Sequence, residues 1–328
     1  MIQWEQRTKV SVDTFTTASS HTALMETSCE PFFPNVKKST AKLLCSIFNW
    51  FTPFVQFCVD RERYVSTLVV IMNILHFIIL TKKSMRTTSI NLIMAAVALS
   101  DICSQSYILH HEIIRIFIYF YPCYSKATYY NIFLLENIMN TLRNFTRRCS
   151  TWLSLSIAVI RTLVIRNPMN PKYEKLSKPK TAFTLILVIY ALCFPLAVVE
   201  YLGNWLVENV DATECRDNET TSVYYYSGYS DWFTDNDYMV YKLFYGTEGV
   251  VSKLFPCILF PIFTTLLIIE IRKAEKSRQN LFVSKSESRN TTKLIFYLTL
   301  TFFIGEFPMA LFYGLNPVLL MLNEEGFQ

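Results

Sequence analysis

TAFTLILVIYALCFPLAVVEYL, residues 181–202, is a run of 22 residues with one charged side chain, Glu200. A helix needs about 20 consecutive apolar residues to cross a hydrocarbon core of about 30 Å. This stretch reads as a transmembrane helix, and five others read the same way: Tyr64–Thr81, Ile90–Leu109, Tyr130–Ile165, Met239–Ile271 and Leu294–Leu315. The third and fifth of the six, in chain order, are longer and more polar than a span requires, so they tilt or protrude. Six spans make the chain an all-α polytopic bundle, expected over residues 63–315. Composition agrees. Of 328 residues, 52% are hydrophobic and 17% charged, against roughly 25% charged in soluble domains. An ordinary soluble enzyme is excluded, and a net charge of +5 gives no reason to invoke nucleic acid.

The segment before the first span is less regular. Residues 43–59 are apolar but broken by Asn49, Pro53 and Gln56, and the charged run Asp60-Arg61-Glu62-Arg63 follows at once. So short a charged connection does not suit an antiparallel hairpin, so this stretch is expected to be an amphipathic interfacial segment within an extracellular region 1–62. The first 40 residues lack the apolar core of a signal peptide, which leaves the first span to start translocation.

Orientation follows from the basic residues. The loops after spans one, three and five carry fifteen Lys and Arg, while those after spans two and four carry Arg115, Lys126 and Arg216 only. Basic residues stay in the cytosol, so the N-terminus is outside. The loop Asn204–Tyr238 holds eight acidic residues against Arg216. It also holds Asn218-Glu219-Thr220, a glycosylation acceptor on the correct side of the membrane. Two further matches, at Asn144 and Asn290, fall in a span and in the cytosol. Of nine cysteines, Cys103, Cys149, Cys193 and Cys257 lie inside spans as packing residues, whereas Cys123 and Cys215 lie outside.

Particular residues then resemble a family. Asn73 in the first span, and Asp101 after the small-residue run Ala95–Ser100 in the second, resemble the pattern of rhodopsin-like receptors. Ile160-Arg161-Thr162 with Pro168 resembles the Asp-Arg-Tyr motif and the proline of the second cytosolic loop, with Ile and Thr in place of Asp and Tyr. Phe302 and Gly305-Glu306-Phe307-Pro308 stand in the register of Phe-x-x-Cys-Trp-x-Pro. Together with Arg147–Leu153 and Phe255-Pro256-Cys257-Ile258-Leu259, these stretches look like the nematode serpentine chemoreceptors of class W, a group similar to FMRFamide-type peptide receptors. The resemblance covers about Tyr64 to Gly314. Only 13 residues, 316–328, follow the sixth span. Asn316-Pro317 lies too close to Pro308 to open another span, so the seventh helix of the family is expected to be absent from this sequence, through a truncated product or an incomplete sequence.

The resemblance implies a multi-pass receptor of the plasma membrane that binds a peptide or small environmental chemical outside and a heterotrimeric G protein inside. It implies that Arg161 and Pro168 serve the G protein, and that Asp101 and Ser150 hold a sodium ion, with Asn73 and Pro308 in the same switch. It also implies a Cys123–Cys215 disulfide. Arg143 and Arg147 are four apart, share one helical face and favour a ligand with an acceptor end. The alternative for them is a structural ion pair with Glu136, Glu200 or Glu248. The acidic, aromatic loop either attracts a basic peptide or forms a solvated lid. Rhodopsin-like receptors bring the positions of Arg147 and Glu306 together across helices three and six. A lone charge at that depth costs several kcal/mol, so an Arg147–Glu306 ion pair is expected in place of a Trp toggle. No enzyme constellation is visible: His21, His76, His110 and His111 lack metal-ligand spacing. Two rival readings are a six-helix transporter or channel, opposed by the scarcity of glycine and of any inverted repeat, and a nonfunctional receptor remnant.

Overall fold

The computed structural model describes residues 38–120, 126–167, 170–209 and 224–278. The chain divides into two compact units, Met1–Asp60 and Arg61–Gln328. Helix α1 runs Lys38–Leu80, α2 Ser89–Phe120, α3 Lys126–Arg166 and α4 Pro179–Gly203. An antiparallel ribbon follows, β1 Asn204–Asn209 and β2 Tyr224–Tyr229, in the register Asn204↔Tyr229 to Asn209↔Tyr224. Then come α5 Asp231–Thr247, a π-helical turn Glu248–Leu254, and α6 Phe255–Arg278. Five segments among the described residues are long and apolar enough to cross a membrane: Asp60–Leu80, Ser89–Phe117, Tyr130–Arg166, Pro179–Gly203 and Met239–Lys273. They match the first five expected spans. The sixth, Leu294–Leu315, lies outside the described residues, as does the tail.

Three local features add to the expected spans. Helix α1 includes the stretch near 43–59 and continues through Asp60-Arg61-Glu62-Arg63. None of those four residues is Gly or Pro, so nothing local ends the helix. The second feature is the ribbon, which lies within the expected loop Asn204–Tyr238. The third is the start of α5 at Asp231, eight residues before Met239. Ser230 anchors that start. Its N–H donates to Gly203 O at 2.9 Å and its hydroxyl to Leu202 O at 3.1 Å.

The unit from Arg61 is built for lipid. Apolar side chains such as Leu68, Met72, Leu75, Phe183, Leu187 and Leu192 are more than half exposed. Small and hydroxyl residues are buried instead: Ala95, Ala98, Ala158, Ala182, Ala197, Ser66, Ser100, Ser104 and Thr162. Lipid tails are as apolar as leucine, so helix association depends on close approach and interhelical hydrogen bonds. The central core joins Ile93 of α2, Cys149, Leu153 and Ile160 of α3, and Ala182, Ile189 and Cys193 of α4. Ser100 Oγ and Tyr190 Oη, 2.6 Å apart, link α2 to α4 beside it. A second, aromatic cluster of Phe233, Tyr241 and Phe244 fastens α5 against Leu196 and Val199. Phe233, expected in a loop that either attracts a basic peptide or forms a solvated lid, is only 2% exposed. Gly203 makes room for it, since a Cβ there would stand 3.0 Å from the Phe233 ring.

The π-helical turn has a chemical origin. Phe255 donates its N–H to Val250 O, five residues back. The next residue, Pro256, has no N–H to give and its ring presses on the carbonyl four residues earlier. The widened turn relieves that clash and turns Glu248 and Ser252 into the protein, where both are buried.

Candidate functional site

Polar contacts are strung along α3. The lowest is Arg161, half-buried, its Nη2 3.9 Å from Met94 Sδ of α2. It has no acidic partner among the described residues, which fits the Ile160 and Thr162 that flank it. Thr162 Oγ1 contacts Phe263 O of α6 at 3.4 Å. Eleven residues up the helix, about 16 Å, Ser150 donates to Asp101 Oδ1 at 2.7 Å. The structure therefore joins the two residues singled out for an ion. Arg147, one turn higher, is close enough for its charge to act on Asp101. Asn73 makes a local bond, Nδ2 to Val69 O at 3.1 Å, within α1.

The densest polar centre is one that sequence reasoning missed. Arg148 is 4% exposed and sits between two acids. Its Nη2 donates to Glu200 Oε2 of α4, and its Nε lies 2.7 Å from Glu248 Oε2 in the π-helical turn. Asn144 Nδ2 donates to Glu200 Oε1, and Ser252 Oγ to Glu248 Oε2 at 3.2 Å. Glu200 and Glu248 are 8% and 9% exposed, so all three charges are withdrawn from solvent. A buried charge without partners costs several kcal/mol, and this cluster joins three helical segments for that reason. Arg147 and Arg148 differ by about 100° around the helix. That angle separates an Arg whose charge acts on α2 from one that bonds α4 and the π turn.

A second polar group, away from Arg161, links the middle of α1 to α2 and α3. Arg143 Nη2 lies 3.3 Å from Glu62 Oε1 and its guanidinium stands 5.0 Å over the Tyr107 ring. Arg63 reaches Glu112 at 3.6 Å, Arg115 reaches the same carboxylate at 2.6 Å, and His111 lies 3.2 Å from Glu136. The ion pairs offered for Arg143 and Arg147 are thus corrected. Arg143 takes Glu62, Glu136 faces His111, and Glu200 and Glu248 go to Arg148. The tandem Arg147-Arg148 was the available signal, but the sequence does not say which face meets which acid. Cys123, Pro168, Cys215, Asn218, Glu306 and Pro308 lie outside the described residues. Cys103, Cys149, Cys193 and Cys257 sit inside the bundle, with Cys149 and Cys257 fully buried.

Long apolar helices with a polar string through their interior, and an arginine at one end of the third, define a polytopic helical bundle of the membrane. The chain belongs to the serpentine type 7TM GPCR chemoreceptor Srw family, which it matches over residues 60–327. It is similar to the G-protein coupled receptor dmsr-1 of Caenorhabditis elegans, 25% identical over 266 residues. That alignment covers 78% of this chain and 50% of the relative, so the chain spans about half the length of the curated protein it matches.

Proposed function

We propose that the protein is a plasma-membrane receptor, N-terminus outside, that binds an extracellular peptide or environmental chemical and signals to a heterotrimeric G protein. The observation that carries this reading is Arg161. Its guanidinium is held by a thioether alone among the described residues, so an incoming acceptor group meets a cation already partly desolvated and without a competing carboxylate. At the other end of α3, Arg143 is paired with Glu62 and stacked on Tyr107. A ligand with a carboxylate or amide end competes with Glu62 there, with Arg147 and Glu306 as its further binding residues. Asp101 and Ser150 supply two oxygens to a sodium ion, and Asn73 and Pro308 belong to the same switch. Pro168 shapes the cytosolic contact. A Cys123–Cys215 disulfide holds the outer loop to α3, and Asn218 in that loop carries a glycan.

The test is nucleotide exchange. Membranes carrying the full chain and a G protein are challenged with a fractionated peptide extract, and GTP uptake is followed. Ligand-dependent exchange that Arg161→Ala abolishes, with ligand binding retained, is the expected result. Substrate flux into proteoliposomes without exchange would replace the receptor by a transporter.

A further inference from the structure

Arg148 holds one carboxylate more than its charge balances. Glu200 and Glu248 both close on it, Asn144 and Ser252 add only neutral donors, and among the described residues no second cation bonds either acid. A buried cluster of this kind calls for one further positive charge, a proton or the head of a ligand. Its hydrogen bonding is also incomplete, since Arg148 Nη1 is buried without an acceptor. Next to the cluster lies a cleft of about 80 Å³. Its walls are Trp152 of α3, Ile189, Leu192 and Leu196 of α4, and Val251 and Ser252 of the π-helical turn. Each helix contributes these residues about one to three turns from its member of the cluster, all in the same axial direction: 148 to 152, 200 back to 189, and 248 to 252. The mouth faces lipid, with Leu192 72% exposed.

Depth gives the cleft a polarity. Glu200 is three residues from the end of α4, close to one membrane boundary, whereas Ile189 lies about 16 Å further in. The charged end of the site thus points to the interface and the apolar end to the bilayer centre. A membrane amphiphile has the same arrangement.

We propose that this cleft binds a membrane amphiphile with an amino-alcohol head. The alkyl chain lies against Trp152, Leu192 and Leu196. The ammonium pairs with Glu248 and the hydroxyl oxygen accepts from Arg148 Nη1. An ammonium carried to this depth gives up its hydration, and the surplus carboxylate is what compensates it. A neutral alcohol of equal length keeps the hydroxyl and apolar contacts but lacks the ammonium that pairs with Glu248. This site needs no G protein, and its test is separate from that of signalling.

Trp152 supplies the readout. The full chain in lipid nanodiscs is titrated with 2-amino-8-bromo-1-octanol, whose bromine quenches indole emission, and with 8-bromo-1-octanol for comparison. The expected result is saturable quenching that Trp152→Phe removes, at about a tenfold lower membrane concentration for the amino alcohol, the worth of one charge-assisted contact. Glu248→Gln should bring the two compounds together. Leu192→Phe, which fills the lipid-facing mouth without touching the cluster or adding an indole, should remove the difference as well, and serves if Glu248→Gln does not fold. Equal half-saturation for the two compounds in the unmodified protein overturns the proposal. So does a preference that survives both substitutions.

Discussion

Arg148 Nε of α3 and Glu248 Oε2 of the π-helical turn stand 2.7 Å apart, inside the bundle and away from solvent. The contact depends on Pro256, because an α-helical turn before that proline would point Glu248 elsewhere. With Glu200 on the other side, Arg148 is the pin on which α3, α4 and the fifth span meet.

Removing the pin should be far worse than trimming one acid. Arg148→Gln leaves two carboxylates buried side by side, and a destabilisation of about 3–5 kcal/mol is expected. Glu248→Gln keeps a one-to-one pair of Arg148 with Glu200 and should cost much less. Thermal unfolding of the purified proteins in detergent ranks them. A Glu248→Gln variant as unstable as Arg148→Gln would show that the shared cation is not what holds the cluster.

The sodium proposal for Asp101 and Ser150 makes a salt-specific prediction. Replacing choline chloride by sodium chloride at constant ionic strength should raise the unfolding temperature of the wild-type chain. Asp101→Asn should erase that difference. An equal response of both proteins to the two salts would leave the Ser150–Asp101 bond, 2.7 Å long, as a purely structural contact.

Gly203 and Phe233 offer a packing test. A methyl group on Gly203 meets the Phe233 ring at 3.0 Å, and overpacking of this kind costs about 1–3 kcal/mol. Gly203→Ala is therefore expected to loosen α5, and Gly203→Ala with Phe233→Leu to recover most of the loss. Recovery is read from unfolding temperature; no recovery means that the strain lies elsewhere.

Topology is checked by the glycan. Glycosidase should increase the gel mobility of the wild-type protein and leave Asn218→Gln unchanged. A shift that persists in Asn218→Gln would place another acceptor outside and reverse the orientation argued from the basic residues.

The Arg147–Glu306 pair is open to a charge exchange. Arg147→Glu and Glu306→Arg should each reduce surface expression sharply, and the double exchange should restore it in good part. Failure of the double variant to exceed either single one would falsify the pair.

Much of the architecture was legible before any coordinates. The first five spans were readable because crossing a bilayer imposes a length and an apolarity that single residues report additively. The Ser150–Asp101 contact was legible for another reason: the receptor resemblance supplied a pairing that neither residue announces. The ribbon 204–229 and the early start of α5 were not, since Tyr229, Ser230 and Phe233 owe their places to Gly203, Leu202 and Tyr241.

By itself the sequence determined that this chain lives in a membrane, how many apolar runs it has and which loops carry its positive charge. These are sums over local composition, and no partner is needed to evaluate them. Only the tertiary structure decided that Arg148 rather than Arg147 takes Glu200 and Glu248, and that Arg143 takes Glu62. Adjacent arginines carry the same charge and differ only by a rotation of about 100°. Which acid each meets is set by the packing of other helices, and by a proline eight residues beyond Glu248 that widens its turn.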